Sequence, residues 1–386
     1  MIVVVTGASA GVGRATALEF AERGYDVAIL ARNQARLETA ADEIRRKGVK
    51  ALPIVADVAD FAAVDAAAGQ VEQQLGPIDV WVNNAMTTVF APVEKITPEE
   101  VKRATEVTYL GQVHGMMAAL SRMRPRNWGT IVNVGSALAY RAIPLQSAYC
   151  GAKFAVRGFT DSLRCELLHD DSAVKLVMVH LPAINTPQFD WALNKTGQRP
   201  QPVPPIFQPE VPARAIAFAA ENPDNREIWV GLSTIKAIVG NILMPGLLDH
   251  YLAKKGYSGQ LTGEPLPPDP PANLFKTVDG NYGAHGRFDD KARAVSWEMF
   301  TRRHRNAAMA GFLGLTLVGL AGLLRARSQS NSNSSSSGHS VFGPATATGG
   351  VVGEAQPVEK QQPEEATAGE DPFERRRTFQ PHEQHE

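Results

Sequence analysis

Ile2-Val3-Val4-Val5 opens the chain and runs through Thr6-Gly7-Ala8-Ser9-Ala10-Gly11-Val12-Gly13 into a stretch, Arg14 to Arg23, that stops at Gly24. The β-branched run is too short for a helix and suits a buried parallel strand, whereas the stretch after the glycines has the pattern of an amphipathic helix. Strand, glycine turn and helix in this order form the setting in which a glycine cluster binds a dinucleotide. Glycine lets the backbone approach phosphate, and the free N–H groups of a helix N-terminus favour negative charge. Gly7-x3-Gly11-x-Gly13 departs from the commoner G-x-G-x-x-G spacing. A tight turn without a ligand is the competing reading of this segment alone. The expected border of the cofactor is Thr6, Gly7, Ser9, Gly11, Val12 and Gly13.

The alternation continues. A second strand, Asp26–Leu30, delivers Ala31-Arg32-Asn33 to the edge of the same site. NAD-binding folds ordinarily place a carboxylate there for the ribose 2′-hydroxyl, while a guanidinium suits a 2′-phosphate. With Ala31 and Arg32 in that place, NADP(H) is expected in preference to NAD(H), against an Arg32 that simply heads the next helix in solvent. Asp57-Val58 ends the apolar run Ala51–Ala56, and Asn83-Asn84-Ala85 ends Ile78–Val82. Both sets fall at the C-terminal ends of predicted parallel strands, where open α/β sheets bind ligands. Asp57 can accept from an adenine amino group; Asn83 and Asn84 either stitch loops together or touch the cofactor.

A later strand ends at Val132-Asn133-Val134-Gly135-Ser136, and a long helix is predicted from Ser147 to about His169. Tyr149 and Lys153 are four apart on that helix and share a face. Free tyrosine has a pKa of about 10, so general acid/base work near neutrality needs roughly three units of depression, or about 4 kcal/mol. A neighbouring ammonium acts in that direction. Ser136 can hold a substrate oxygen while charge develops on it. Alone, a tyrosine and lysine at this spacing are most often a surface pair; their weight comes from the nucleotide turn and the strand-end serine.

Taken together, Thr6-Gly7-x3-Gly11-x-Gly13, Asp57, Asn83-Asn84-Ala85, Ser136 and Tyr149-x3-Lys153 resemble the short-chain dehydrogenase/reductase family over residues 1 to about 190. The resemblance implies a doubly wound parallel α/β sheet of the Rossmann type, completed near Ile228-Trp229-Val230. It also implies hydride transfer between a nicotinamide cofactor and an alcohol or ketone. Tyr149 is then the general acid/base, Lys153 binds the nicotinamide ribose and lowers the tyrosine pKa, Ser136 orients the substrate, and Asn84 lies along the cofactor, with Val58 and Ala85 beside it. Two positions depart from the pattern. Thr108 stands where the family usually has an asparagine that anchors a proton-relay water, a task a hydroxyl can still perform. Leu181-Pro182 stands where the family has Pro-Gly, so the turn before Ile184 and Thr186, the expected nicotinamide contacts, must differ, since proline lacks the positive φ open to glycine. Members of the family commonly form dimers or tetramers, and a homo-oligomer is expected.

A chain of 386 residues, 44% hydrophobic and with net charge −1, is long enough for one such domain plus extensions. The neutral balance gives no electrostatic case for nucleic acid. Cys150 and Cys165 lie on one predicted helix, over 20 Å apart at a rise of about 1.5 Å per residue, too far for a disulfide. No metal-ligand cluster is visible, and with the first strand starting at residue 2 no signal peptide is expected.

Beyond the catalytic domain, residues 1–232, the sequence predicts a helical extension over 233–260, broken at Pro245-Gly246, and a Pro/Gly/Asp-rich linker over 261–290 with little structure of its own. Residues 307–324 hold no charge and are flanked by Arg302, Arg303, Arg305, Arg325 and Arg327. A helix of that length spans roughly 27 Å and predicts a single transmembrane anchor, the arginine bias favouring a cytoplasmic catalytic domain. A buried or self-associating helix in a soluble chain is the competing reading. Residues 328–386 form a low-complexity tail expected to be disordered. Aromatic residues Phe189, Trp191 and Phe207 within Pro187–Pro212 suggest a small, apolar substrate. The rival function is a nucleotide-binding membrane scaffold or redox sensor with little catalysis.

Overall fold

The computed structural model describes residues 1–296, 298 and 299. Its centre is a parallel sheet of seven strands: β1 (Ile2–Thr6), β2 (Asp26–Ala31), β3 (Ala51–Val55), β4 (Val80–Asn83), β5 (Thr130–Ser136), β6 (Lys175–Leu181) and β7 (Glu227–Trp229). Their order across the sheet is β7-β6-β5-β4-β1-β2-β3. The chain winds outward from β1 to β3 and then returns to place β4 against β1, with Val3 opposite Val80 and Val5 opposite Val82. That reversal opens a crevice at the C-terminal ends of β1 and β4, the switch point at which such sheets bind ligands.

Helices cover both faces, which is why the strands read as unbroken apolar runs. Alternate residues of each strand point to opposite faces. Val3, Val5, Val27 and Ile29 pack against α1 (Gly11–Glu22), α2 (Gln34–Arg45) and, farther along, α7 (Glu210–Glu221). Val4, Ala28, Leu30 and Trp81 pack against α3 (Phe61–Gln74), α5 (Gly111–Met123) and α6 (Ser147–His169). Between α3 and α5, α4 (Pro98–Thr105) starts with a reciprocal cap in which Thr97 and Glu100 bond each other's backbone N–H. A π-helical turn, Glu106–Leu110, joins it to α5. The extension forms α8 (Leu232–Leu243) and α9 (Pro245–Lys255), the break falling at the predicted proline.

The parallel α/β part of the expected architecture is present, but its membrane part is corrected. Among the described residues no helix is long and apolar enough to cross a membrane. The 23-residue α6 carries Lys153, Arg157, Asp161, Arg164 and Glu166 along its length, and α8 and α9 have only 12 and 11 residues. This overturns the expectation of a single-pass membrane chain with a cytoplasmic catalytic domain. Residues 307–324, which prompted it, lie outside the described residues, as does the tail 328–386.

Residues 261–290 do more than link. Leu261–Pro265 pairs antiparallel with Gln198–Pro200. Ala292–Arg293, just after the segment, lies beside Ile206–Phe207, which in turn pairs with Ala183–Ile184. Between these strands the chain crosses the C-terminal edge of the sheet, with Leu274 and Phe288 buried.

Candidate active site

The crevice is one cavity of about 620 Å³ that runs from the glycine turn to the extension helices. Gly7 and Gly11 have φ of +68° and +58°, and a Cβ on Gly13 would sit 2.3 Å from the Gly7 carbonyl oxygen. Glycine is therefore required both for the turn and for the packing of α1 against it. Ala10 caps α1 without a side-chain hydrogen bond, and the first N–H of the helix, that of Gly11, donates to the Gly283 carbonyl oxygen at 3.1 Å. Gly7, Ser9, Gly11, Val12 and Gly13 all line it. Thr6 does not. Its hydroxyl accepts from the N–H groups of Asn84 (2.9 Å) and Ala85 (3.1 Å), tying β1 to the loop after β4. Asn84 lines the cavity while donating to the Thr6 carbonyl oxygen at 2.9 Å, whereas Asn83 is buried below it in a chain of bonds with Trp81 and Asn133.

Arg32, Asp57, Val58, Ala85, Ile184 and Thr186 also border the cavity. Asp57 accepts from the Ala59 N–H at 3.0 Å and pairs with Arg103 of α4. Beside Arg32, and also in the wall, stands Arg36 of α2. Burial lowers both guanidinium pKa values, and among the described residues neither arginine forms an ion pair. Asp57 opposes the shift at Arg32, and Tyr282 and Asp279 oppose it at Arg36. Leu181 and Pro182 line the wall as well, and Pro182 packs on Gly231, whose φ is +84°.

At the other end, β5 presents Ser136 and the first turns of α6 present Tyr149 and Lys153. All three line the cavity. Ser136 Oγ accepts from the Leu138 N–H at 3.1 Å. The Ser136 carbonyl oxygen lies 3.1 Å from His180 Nδ1, which fixes the end of β5 from the β6 side. Lys153, 1% exposed, donates from Nζ to the Val134 carbonyl oxygen at 2.7 Å, with Nζ 5.7 Å from the Tyr149 ring centroid.

The electrostatics differ from the expectation. Burial pushes the Tyr149 phenol above its ordinary pKa, opposed by its contact with Ser136 and reinforced by Cys150. Burial also brings Lys153 down to about 7. The same desolvation that disfavours tyrosinate disfavours the ammonium meant to stabilise it. Burial thus favours the phenol form of Tyr149.

Thr108 does not reach the cavity. It is fully buried, and its hydroxyl donates to the Thr87 carbonyl oxygen at 2.8 Å and accepts from the Thr87 N–H at 3.0 Å. One turn later Gln112, unremarked in the sequence, donates to the Val134 carbonyl oxygen at 3.1 Å, and its Oε1 is buried without a partner. Of the three aromatic residues expected to form a wall, Phe189 and Trp191 border the cavity, but Phe207 turns into the core. The extension completes that wall with Ser233, Lys236, Leu248 and Tyr251.

Residues 1–196 match the family described as short chain dehydrogenase. An uncharacterized oxidoreductase, YxnA, of Bacillus subtilis is 32% identical over 328 residues, covering 84% of this chain and 91% of the relative. A match of that extent necessarily runs through residues 261–290. The 3-dehydrosphinganine reductase of Danio rerio is 31% identical over 192 residues, 48% of this chain and 57% of the relative. Among solved structures, the alcohol dehydrogenase of the archaeon Thermococcus sibiricus complexed with 5-hydroxy-NADP superposes with a TM-score of 0.52 at 26% identity, covering 59% of this chain and 95% of that one.

Proposed function

The chain belongs to the short-chain dehydrogenase family of oxidoreductases, and on that premise we propose that it reduces the carbonyl of an apolar ketone with NADPH as hydride donor. One observation carries the reading: a single cavity has a neutral acid, Tyr149, with Ser136 at one end and at the other two cations, Arg32 and Arg36, that form no ion pair among the described residues. The glycine turn at the start of α1 fits a dinucleotide diphosphate, and Arg32 and Arg36 fit a ribose 2′-phosphate better than a bare hydroxyl.

When bound, the nicotinamide supplies the hydride. Ser136 donates to the substrate oxygen and holds it beside Tyr149. Tyr149 gives its proton to that oxygen as charge develops there. Lys153, at about 7, is partly charged at neutral pH and stabilises the tyrosinate that remains. Phe189 and Leu248 give the substrate end an apolar lining, while Trp191 stacks on Arg36 toward the nucleotide end. An apolar ketone is supported by this lining, and the name of the Danio rerio relative points to a long-chain ketone for that protein.

The test is binding of NADPH and NADH followed by turnover across long-chain and cyclic ketones. NADPH bound more tightly than NADH, and consumed with one of these ketones, is the expected result. Binding without consumption on the whole panel favours the scaffold reading, and no binding of either cofactor rejects the proposal.

A further inference from the structure

Five backbone carbonyls of one segment outside the family match accept from the arginines of the nucleotide half. Arg32 donates to the carbonyl oxygens of Asn273 (2.5 Å), Leu274 (3.4 Å) and Phe275 (3.3 Å). Arg103 donates to that of Leu274 at 3.2 Å, Arg36 to that of Val278 at 2.9 Å, and Arg14 to that of Tyr282 at 3.2 Å. The Gly11 N–H in the glycine turn donates to the Gly283 carbonyl oxygen at 3.1 Å. The Arg36 guanidinium is also clamped between rings, 4.9 Å from the centroid of Trp191 and 5.8 Å from that of Tyr282. Asn273 and Thr277 of the segment line the same cavity as Arg32 and Asp57.

The segment is fastened beyond the nicotinamide end as well. Asn185, next to Thr186, donates to Asp289 at 2.7 Å and accepts from the Phe288 N–H at 3.0 Å. Arg287 pairs with Asp190 and donates to the carbonyl oxygens of Phe189 (3.0 Å) and Pro200 (2.7 Å). A Cβ on Gly286 would lie 2.5 Å from the Thr186 carbonyl oxygen, so the crossing there is tight.

We infer that Asn273–Gly286 is a wall of the cofactor site: it roofs the 2′-phosphate and adenosine half, aims Arg32 and Arg36 into the space below, and governs how fast the cofactor leaves. Neutral carbonyls suit this task. They orient a guanidinium without cancelling its charge, where a carboxylate would compete with the phosphate. The inference rests on the NADP(H) reading above.

The experiment compares the full chain with Arg287→Ala and Asp289→Ala, both outside the cavity lining, by stopped-flow release of NADPH and by amide exchange over 273–283. Expected are release on the order of tenfold faster in both variants, with affinity weakened to match, undiminished turnover at saturating NADPH, and slower exchange of 273–283 in the wild type when NADPH is bound. Release at the wild-type rate from folded variants, or unchanged exchange in the wild type, overturns the inference. Faster binding with unchanged release also overturns it, since the segment would then be a competitor for the site. Wild-type protein that binds no NADPH fails the functional reading itself. Should either variant not fold, the wild-type exchange measurement still decides.

Discussion

Lys153 and Gln112 share one acceptor: both donate to the carbonyl oxygen of Val134, at 2.7 and 3.1 Å, two residues before Ser136 on β5. The end of the catalytic strand is thereby held from α5 and α6 at once. Either donor can be removed without leaving that carbonyl unpaired, so the consequences of altering Lys153 report on its charge.

Tyr149→Phe removes the proton donor and keeps the ring. Turnover should fall by about 10²–10⁴-fold, the usual contribution of a positioned general acid. NADPH affinity, read by cofactor fluorescence, should stay within a few-fold. Turnover near the wild-type level would remove Tyr149 from the chemistry.

Lys153→Met tests the buried amine through stability. Its folded pKa of about 7 lies below the ordinary 10.5. Below pH 7 both folded and unfolded chains carry the proton, and the cost of burying the charge is fully present. Between 7 and 10.5 the unfolded chain binds a proton that the folded one does not, so wild-type stability rises with pH. The variant should be inactive yet more stable at pH 6, by on the order of a few kcal/mol, with the gap closing toward pH 10. Denaturant melts at several pH values measure this, and a gap that ignores pH would contradict it.

Arg32→Ala should weaken NADPH binding by about 1–3 kcal/mol, the worth of a charge-assisted bond, and NADH binding by less, through the loosened 273–275 contacts alone. Titration of both cofactors in both proteins decides, and an unchanged preference would shift the 2′-phosphate role to Arg36.

Thr108→Val leaves the Thr87 N–H and carbonyl unpaired in a buried place, at a cost of about 2–4 kcal/mol. Thermal melting should show that loss, while turnover per folded molecule stays within about twofold. A large fall in turnover at constant stability would restore a proton-relay role.

What could be read in advance followed from side-chain pattern. The apolar runs ending at Thr6, Ala31, Asn83 and Ser136 became strands, and the Tyr149/Lys153 face became a wall of the cavity because helical spacing fixes which residues share a side. What escaped was carried by the backbone. Residues 273–283 dock through their carbonyl oxygens, which every residue possesses, so Pro, Gly and Asp read as a linker where the fold uses them as acceptors. Thr6 and Thr108 were misplaced for a related reason: whether a hydroxyl faces a ligand or a neighbouring N–H depends on the loop opposite. The desolvation that raises Tyr149 and lowers Lys153 is likewise a property of depth, which spacing does not encode.

The bond from Arg14 to Tyr282 joins residues 268 apart in sequence. During synthesis the glycine turn and its arginines emerge long before the carbonyls that will cover them. A nascent chain can close β1 through β4 early, with Arg14 meeting Glu43 and Arg103 meeting Asp57, yet Arg32 and Arg36 lack their carbonyl acceptors until residues 273–278 have been added. Completion of the nucleotide half therefore waits on residues 273–283, made well after β1 through β4.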